Sequence, residues 1–454
     1  MDQQKKCGMC AHKKTVIIIL LIVMFAFTII FAYPDLSAVP TYMFFIMPKY
    51  QMQNDFSNYY YGGLMLKFHN PDIYNKAVFE HFFDQYPDVK SRHKMLNYPP
   101  LIYCIFSFLA IPDLVLVSKI WFTCNIVFWL GSLLFIFFSY DKPDRDKWQR
   151  IARFVLYFAF GIFFAPAVDN ILQGQVNMLL LFLCSGSFYY YKKKNPIASA
   201  AFLAFAISLK IIPAILLMFF FLKKEYRTVL YTFAGIVLIH IIIVLYWGAP
   251  LLTGYMQNQA LSYFGMGELT AWLNKSIAAT LYRLFSVSNP ENNTQPIFMA
   301  PWLVLPLRIL ATLAVLASLA FFTIKNYNED LLFPLYLVSI FMVTPMVWVH
   351  HHVLILMALP FFTEYILKGK FGKGFGFIAS VLFLVFFWIL GTFNGWVSFP
   401  MNPVPYWTRV WFHNSNLSTF FMAALWLSMT YLIFAEKPEQ NKEAEQSCPA
   451  SDNA

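Results

Sequence analysis

Charged residues are scarce in this chain of 454 residues: they make up 12% of it, against 59% apolar residues. Soluble domains carry about 25% charged residues, so a water-soluble core is excluded. Many windows reach the roughly 20 apolar residues that cross a bilayer as a helix. The composition therefore predicts an all-α polytopic membrane protein, because a spanning backbone must satisfy its own hydrogen bonds.

Nucleotide-binding motifs are also missing. The sequence contains no Walker loop and no GxGxxG between a strand and a helix. No predicted cytosolic loop is long enough for a nucleotide-sugar domain, so an enzyme of this kind must receive its donor in the membrane, and no cofactor is expected. Neither a repeat of 20–50 residues nor a duplication of halves is visible.

The six cysteines are scattered along the chain. Three lie in apolar segments and are expected to pack there: Cys104, Cys124 and Cys184. Cys7 and Cys10 form a lone CxxC, but a zinc site needs four ligands. The sequence therefore predicts no metal site and is typical of a reduced, cytosolic amino-terminal tail.

The net charge of +10 is placed in short loops between apolar segments. This is the pattern of cytoplasmic loops under the positive-inside rule, and it argues against a nucleic-acid partner. The basic clusters are Lys5 to Lys14, Lys142 to Arg150, Lys192 to Lys194, Lys223 to Arg227 and Lys368 to Lys373.

The apolar runs predict about twelve crossings of the plasma (inner) membrane, with both termini cytoplasmic and an uncleaved first helix. These runs are 15–32, 113–140, 151–167, 175–191, 196–209, 211–222, 228–247, 301–323, 331–348, 350–367, 375–396 and 416–434.

Two apolar stretches do not fit a simple crossing. Residues 98–112 are short, and we expect a re-entrant or surface-lying segment there. Residues 195–222 have basic residues at both ends, so we expect that stretch to turn back at Lys210 and Pro213.

With this topology the large hydrophilic segments are all extracytoplasmic: 33–97, 248–300 and 397–415. Residues 1–434 are predicted to form one transmembrane domain with a large first external loop. Residues 435–454 are polar and predicted to be a disordered cytoplasmic tail.

Five polar clusters fall at the same, extracytoplasmic end of the apolar segments. Ionisable groups at membrane depth are costly and usually line a site, so the clusters predict one active site at that surface. They are Asp55 with Tyr59 and Tyr60; Gln175 with Asn177; Lys210 with Pro213; Asn274 with Ser276 and Arg283; and Trp348 with His350, His351 and His352.

Each cluster also has a plainer interpretation. Asp55 can serve as a general base or be a solvated acid or helix N-cap. Lys210 can bind a phosphate or snorkel to the interface. Arg283 could clamp a phosphate. The aromatic residues could stack on a sugar or anchor the chain at the interface. Three consecutive histidines point in different directions and form a poor metal triad.

In order along the chain, these residues resemble glycosyltransferase family 87, whose members are polytopic and use polyprenyl-phosphate sugars. Gly62-Gly63 and the extra His352 depart from the family pattern. The resemblance is carried by Asp55-Phe56 with Tyr59-Tyr60, Asn70-Pro71 with Tyr74, Tyr98-Pro99-Pro100, Gln173-Gly174-Gln175-Val176-Asn177, Lys210-Ile211-Ile212-Pro213, Asn274-Lys275-Ser276 with Arg283, and Pro345 with Trp348-Val349-His350-His351.

This resemblance implies a GT-C fold and a hexosyltransferase that moves a hexose, with mannose as the expected sugar, from a polyprenyl-phosphate donor to a lipid- or glycan-linked acceptor. It implies that Asp55 is the catalytic base and that His350 and His351 bind substrate. The other residues expected to bind substrate are Tyr59, Tyr60, Gln175, Asn177, Lys210, Asn274, Arg283 and Trp348.

Two other classes compete with an enzyme. Twelve crossings also suit a transporter or flippase, but the candidate residues lie at the outer surface and not at mid-depth. A scaffold does not explain Lys210 or the run of histidines in apolar surroundings.

Overall fold

The computed structural model describes residues 55–68, 70–84, 96–142, 145, 147–162, 164–257, 274–286, 296–360 and 416–435, and within these ranges every regular element is helical. The α-helices are α1 Asp55–Lys67, α2 Lys76–Phe83, α3 Pro100–Leu109, α4 Leu114–Tyr140, α5 Lys147–Ile162, α6 Ala165–Gln173, α7 Asn177–Lys192, α8 Pro196–Leu209, α9 Ile215–Leu222, α10 Tyr226–Trp247, α11 Ala249–Tyr255, α12 Ile277–Phe285, α13 Pro301–Ile324, α14 Glu329–Val343 and α15 Leu417–Ala435. Two 3₁₀-helices, Ile212–Ala214 and Val349–Ala358, are called η1 and η2.

Four of these helices are long and apolar enough to cross a membrane: α4, α10, α13 and α15. The all-α prediction is confirmed for the described residues, whereas the number of twelve crossings stays a prediction. The predicted runs 15–32 and 375–396 lie outside the described residues, as do residues 361–367 of the run 350–367, the segment 397–415, the Cys7–Cys10 motif and residues 436–454.

The helices differ in what surrounds them. Helix α14 is buried on all sides from Leu331 to Met342, which is typical of a central helix. Helices α10 and α13 instead expose apolar side chains such as Leu245 and Leu310. An apolar surface of this kind faces lipid in a membrane protein, so α14 belongs to the interior and α10 and α13 to the periphery.

The stretch 195–222 turns back, as predicted. Helix α8 ends at Lys210, whose backbone is extended, and η1 and α9 follow. Lys210 reaches Asn177 at the start of α7, and Lys223, after α9, reaches Asn326 at the other end of the molecule. Pro213 lies within η1, where its missing N–H is tolerated because the α8 hydrogen-bond ladder has already ended.

Helix α3 is too short to cross a membrane on its own. It has 10 residues, a length of about 15 Å at 1.5 Å per residue, half of what a bilayer core requires. Its carboxyl-terminal end is held by α1, since Lys67 donates to Ala110 O at 2.6 Å and Tyr60 donates to Ile111 O at 2.6 Å. The structure thus agrees with a re-entrant or surface-lying segment.

Two predicted runs need correction. Run 151–167 is two helices, because α5 ends at Ile162 and Pro166 lies in the first turn of α6. Run 331–348 ends as a helix at Val343, since Thr344 precedes Pro345 and a residue before proline is driven out of the helical region. The chain then continues into η2, and a 3₁₀-helix of 10 residues is uncommonly long.

A polar cluster joins several helices at the end where the basic loops lie. Lys192 Nζ pairs with Glu329 at 3.0 Å and with Asp330 at 2.9 Å, and Tyr191 donates to Glu329 at 2.6 Å. Tyr140 donates to the Asp330 carbonyl at 2.9 Å. These bonds tie α4, α7 and α14 together at the end opposite to Lys210.

Candidate active site

The opposite end of the bundle carries the predicted site. Asp55 begins α1, Asn177 begins α7, Lys210 follows α8, and His351 lies in the first turn of η2. Because α7 and α8 run in opposite directions, the start of one and the end of the other meet at the same level. The structure therefore gathers side chains from four separated parts of the chain.

One half of this site, called the acidic half, consists of Asp55, Tyr59 and Gln175, with Gln175 at its centre. Its Oε1 accepts from the Tyr59 hydroxyl at 2.9 Å and from the Tyr98 hydroxyl at 2.7 Å. Its Nε2 donates to Asp55 Oδ2. Because two phenols donate to the amide oxygen of Gln175, the NH₂ end of the amide faces the carboxylate of Asp55. Gln175 therefore binds Asp55 as a neutral donor.

Both phenols remain protonated at neutral pH. Burial, and then the nearby Tyr98 and Asp55, raises the pKa of Tyr59 well above its usual value. Burial, and then the Asp55 charge, raises the pKa of Tyr98. A protonated phenol donates a hydrogen bond, which agrees with the arrangement around Gln175.

A tight turn positions Gln175. Gly174 ends α6 with φ 65°, in the left-handed region that favours glycine. The indole of Trp121 donates to the Gly174 carbonyl at 2.7 Å. Asn170 donates from Nδ2 to the Gln175 carbonyl at 3.1 Å and accepts from Asn177 at 3.1 Å. The Gly-Gln-Val-Asn sequence thus forms a turn that aims Gln175 and Asn177 at the site.

The other half, called the cationic half, consists of Lys210, Asn177 and His351, with Lys210 at its centre. Its Nζ donates to Asn177 Oδ1 at 3.1 Å and lies 2.9 Å from His351 Nε2. It also lies 5.2 Å from the centre of the Tyr98 ring. Tyr98 donates to Gln175, which binds Asp55, so the acid and the lysine belong to one site.

The three histidines have different surroundings, as the sequence predicts. His351 accepts at Nδ1 from the Trp348 backbone at 3.2 Å and faces Lys210. His350 Nδ1 lies 3.6 Å from Asp169 Oδ2. His352 bonds to the Val349 carbonyl at 3.0 Å and packs against Phe341. No group of three metal-binding side chains forms in the part of the chain that the structure describes.

Asp169 is a site residue that sequence reasoning missed. It lies between the predicted runs 151–167 and 175–191, and the structure places it in α6 beside His350. Tyr98 was noted only as part of a motif, and it contacts both halves of the site. The sequence feature that could have indicated Asp169 is a carboxylate directly beside apolar segments, where an ionisable group usually lines a site.

Asn274 and Arg283 form a second group, which holds the segment before the histidines. Asn274 donates to the Pro345 carbonyl at 3.0 Å and accepts from the Val347 N–H at 3.1 Å. Arg283 donates from Nε to Asn416 Oδ1 at 2.8 Å and from Nη2 to the Asn274 carbonyl at 3.0 Å. These bonds fix the chain immediately before Trp348.

Lys275 adds a buried lysine to this second group, with 2% of its surface exposed. Its backbone N–H donates to Val347 O at 2.7 Å. Burial, and then the Arg283 charge, holds the pKa of Lys275 well below its usual value.

The exposed surface of the site is small. Tyr59, Gln175, Asn177 and Asn274 are buried, as are Tyr60, Arg283, His350 and His351. The predicted residues with intermediate exposure are Asp55, Lys210 and Trp348. These three can therefore contact a substrate directly, and the buried residues can act by orienting them.

Residues 96–347 match the sequence profile of glycosyltransferase family 87. The chain belongs to this family. The resemblance seen in the sequence is confirmed, and the protein is a membrane glycosyltransferase that needs a sugar donor, an acceptor and membrane lipids. No curated protein sequence matches the chain.

The family match covers one part of the site. Gln175, Asn177, Lys210, Asn274 and Arg283 lie within the matched residues. Asp55, Tyr59 and Tyr60 precede them, and Trp348, His350 and His351 follow them. The candidate site thus combines Gln175, Asn177 and Lys210, which lie within the family match, with Asp55, Tyr59 and His351, which flank it and which the fold brings near them.

Tyr60 differs from its neighbour Tyr59. Its hydroxyl donates to the Ile111 carbonyl, at the end of α3, and not to Gln175. The substrate-binding role predicted for Tyr60 stays a prediction, and its observed contact holds α1 against α3.

Proposed function

We propose that this protein transfers mannose from a polyprenyl phosphate to a lipid- or glycan-linked acceptor on the extracytoplasmic face. A glycosyltransferase with a lipid-phosphate donor needs a base for the acceptor hydroxyl and cations for the departing phosphate. The observation that supports it best is the meeting of Asp55 with the Lys210–His351 pair at one end of the bundle.

The proposed chemistry is one inverting displacement. Asp55 takes the proton of the acceptor hydroxyl while that oxygen attacks the anomeric carbon. The bond from this carbon to the phosphate oxygen breaks, and a β-linked donor gives an α-linked product. Lys210 stabilises the charge that develops on the polyprenyl phosphate. The bilayer confines the donor's lipid tail and so helps to place its headgroup.

The extracytoplasmic location is supported by charge. The site lies at the end of α7 and α8 opposite to Lys192 and to the Lys223–Arg227 loop, and short basic loops remain cytoplasmic. In this proposal the protein has a GT-C fold in which residues 1–434 form one domain with about twelve transmembrane helices in the plasma membrane. The family assignment favours this function over the transporter alternative.

The test is a transfer assay with purified protein and two donors, polyprenyl-phosphate mannose and nucleotide-linked mannose, each radiolabelled. Lipids extracted from membranes that lack this protein supply the acceptor. Wild-type protein should transfer label from the polyprenyl donor. The Asp55→Asn variant should be slower by a factor on the order of 10²–10⁴, because it lacks the base.

Asp72→Asn is the matched control, since Asp72 is an exposed acid in the loop that follows α1. It should transfer at the wild-type rate. Transfer from the nucleotide donor alone would contradict the proposed donor, and near-normal transfer by Asp55→Asn would remove Asp55 from the mechanism.

A further inference from the structure

Tyr98 lies between the two halves of the site. Its hydroxyl donates to Gln175 Oε1 at 2.7 Å, and Gln175 in turn donates to Asp55. The face of its ring lies 5.2 Å from Lys210 Nζ. One side chain therefore contacts both the group that orients the acid and the cation.

The backbone of Tyr98 is held on both sides. Its N–H donates to the Tyr103 hydroxyl at 3.3 Å, and its carbonyl accepts from the Tyr74 hydroxyl at 2.7 Å. Pro99 and Pro100 follow directly and begin α3. Proline fixes its own φ and restricts the residue before it, so the backbone from which the Tyr98 side chain extends has little freedom.

The hydroxyl acts on the acidic half through Gln175. An amide can rotate by 180° about its terminal bond, which would turn its oxygen toward Asp55. Two phenols that donate to Oε1 oppose this rotation, one from Tyr98 and one from Tyr59. The two rings also pack edge to face, 5.0 Å apart.

The ring acts on the cationic half. A lysine over an aromatic face is attracted to it, and the attraction is stronger when the pair is shielded from water. The ring lies against Lys210 while Asn177 Oδ1 accepts from Lys210 Nζ and His351 Nε2 lies 2.9 Å from it on another side. The ring therefore restricts where the ammonium can move.

We propose that Tyr98 is a positioning residue that couples the two halves: its hydroxyl orients Asp55 through Gln175, and its ring places Lys210 for the donor phosphate. This inference rests on the proposed function. It assigns separable tasks to the hydroxyl and to the ring, so two substitutions at the same position can test it.

Tyr98→Phe removes the hydroxyl and keeps the ring, whereas Tyr98→Leu removes both. In Tyr98→Phe, kcat for mannose transfer should fall about 3- to 10-fold, as expected for one lost hydrogen bond, while the Kd for polyprenyl phosphate stays at the wild-type value. In Tyr98→Leu, the Kd should also rise about 3- to 30-fold, because the cation–π contact is lost.

Combining Tyr98→Phe with Tyr59→Phe tests whether the two hydroxyls together fix the orientation of the Gln175 amide. Either phenol alone still opposes rotation of the amide, so the double variant should lose more activity than the product of the two single losses. A double variant that equals that product would contradict the orienting role of the hydroxyl.

Tyr140→Phe is the matched control, because its hydroxyl bonds to Asp330 at the opposite end of the bundle. It should keep the wild-type kcat and Kd in the folded fraction, which thermal unfolding measures for every variant. Tyr98→Leu and Tyr98→Phe with the same Kd would overturn the role of the ring. Wild-type protein that neither binds polyprenyl phosphate nor transfers mannose would overturn the proposed function, and this inference with it.

Discussion

Lys210 and Arg283 are two cations that the sequence treats alike and that the structure separates. Lys210 is partly exposed and bonds to Asn177 and His351 within the site. Arg283 is buried and donates to Asn416 and to the Asn274 carbonyl. Truncation at the two positions should therefore have different consequences.

Lys210→Ala should weaken the binding of polyprenyl phosphate and leave the thermal stability close to that of wild type. Arg283→Ala should lower the free energy of unfolding by about 2–3 kcal/mol, because buried acceptors lose a charged donor. Thermal unfolding and titration with polyprenyl phosphate, on both purified variants, measure these effects. If Arg283→Ala kept its stability and lost phosphate binding, the role predicted for Arg283 from the sequence would be correct.

At the scale of elements, the packing of α1 against α3 places Asp55 and Tyr59. A Cβ at Gly63 would lie 2.5 Å from the Phe106 carbonyl carbon and 2.8 Å from the Ser107 nitrogen. A clash with backbone atoms cannot be relieved by a side-chain rotation. The close approach of the two helices thus explains the glycine at position 63.

Gly63→Ala should push α1 away from α3, destabilise the protein by about 1–3 kcal/mol and slow transfer, since α1 carries the acid. Gly254→Ala is the matched control, because its Cβ would meet Tyr74 at an ordinary 3.7 Å. Thermal unfolding and transfer rates of the two variants test this. Wild-type behaviour of Gly63→Ala would show that the helices can separate without displacing Asp55.

For the whole molecule, the site and the basic loops lie at opposite ends of the same helices. Helix α8 begins just after Lys193, which is exposed, and ends just before Ile211, which is 66% exposed. The positive-inside rule predicts that Lys193 is cytoplasmic and that Ile211 is outside.

Ile211→Cys should react with an impermeant thiol reagent added outside intact cells, and Lys193→Cys only after the cells are opened. Both variants are made in a background without the six native cysteines. The two positions flank one helix and serve as each other's control. Labelling of both from the same side would show that α8 does not cross the membrane, and labelling of Ile211→Cys from inside alone would reverse the proposed face.

Local features were predictable from the sequence because they depend on nearby residues. The scarcity of charge determines the membrane class, and the basic clusters around 195–222 indicate that this stretch turns back, as the structure shows. Gly174 in a polar Gly-Gln-Val-Asn segment likewise indicates a turn at the site. Prolines mark the ends of α8 and α14, although run 331–348 was predicted to extend past Pro345.

The tertiary structure alone decided which polar groups meet. Tyr59 and Gln175 are 116 positions apart, and Lys210 and His351 are 141 apart, so no spacing in the chain pairs them. The contact of Asp169 with His350 and the bonds of Arg283 to Asn274 and Asn416 depend on how the helices pack. Composition and local pattern determine that a segment enters the membrane and where it turns, whereas the packing of helices against one another determines which side chain each polar group faces.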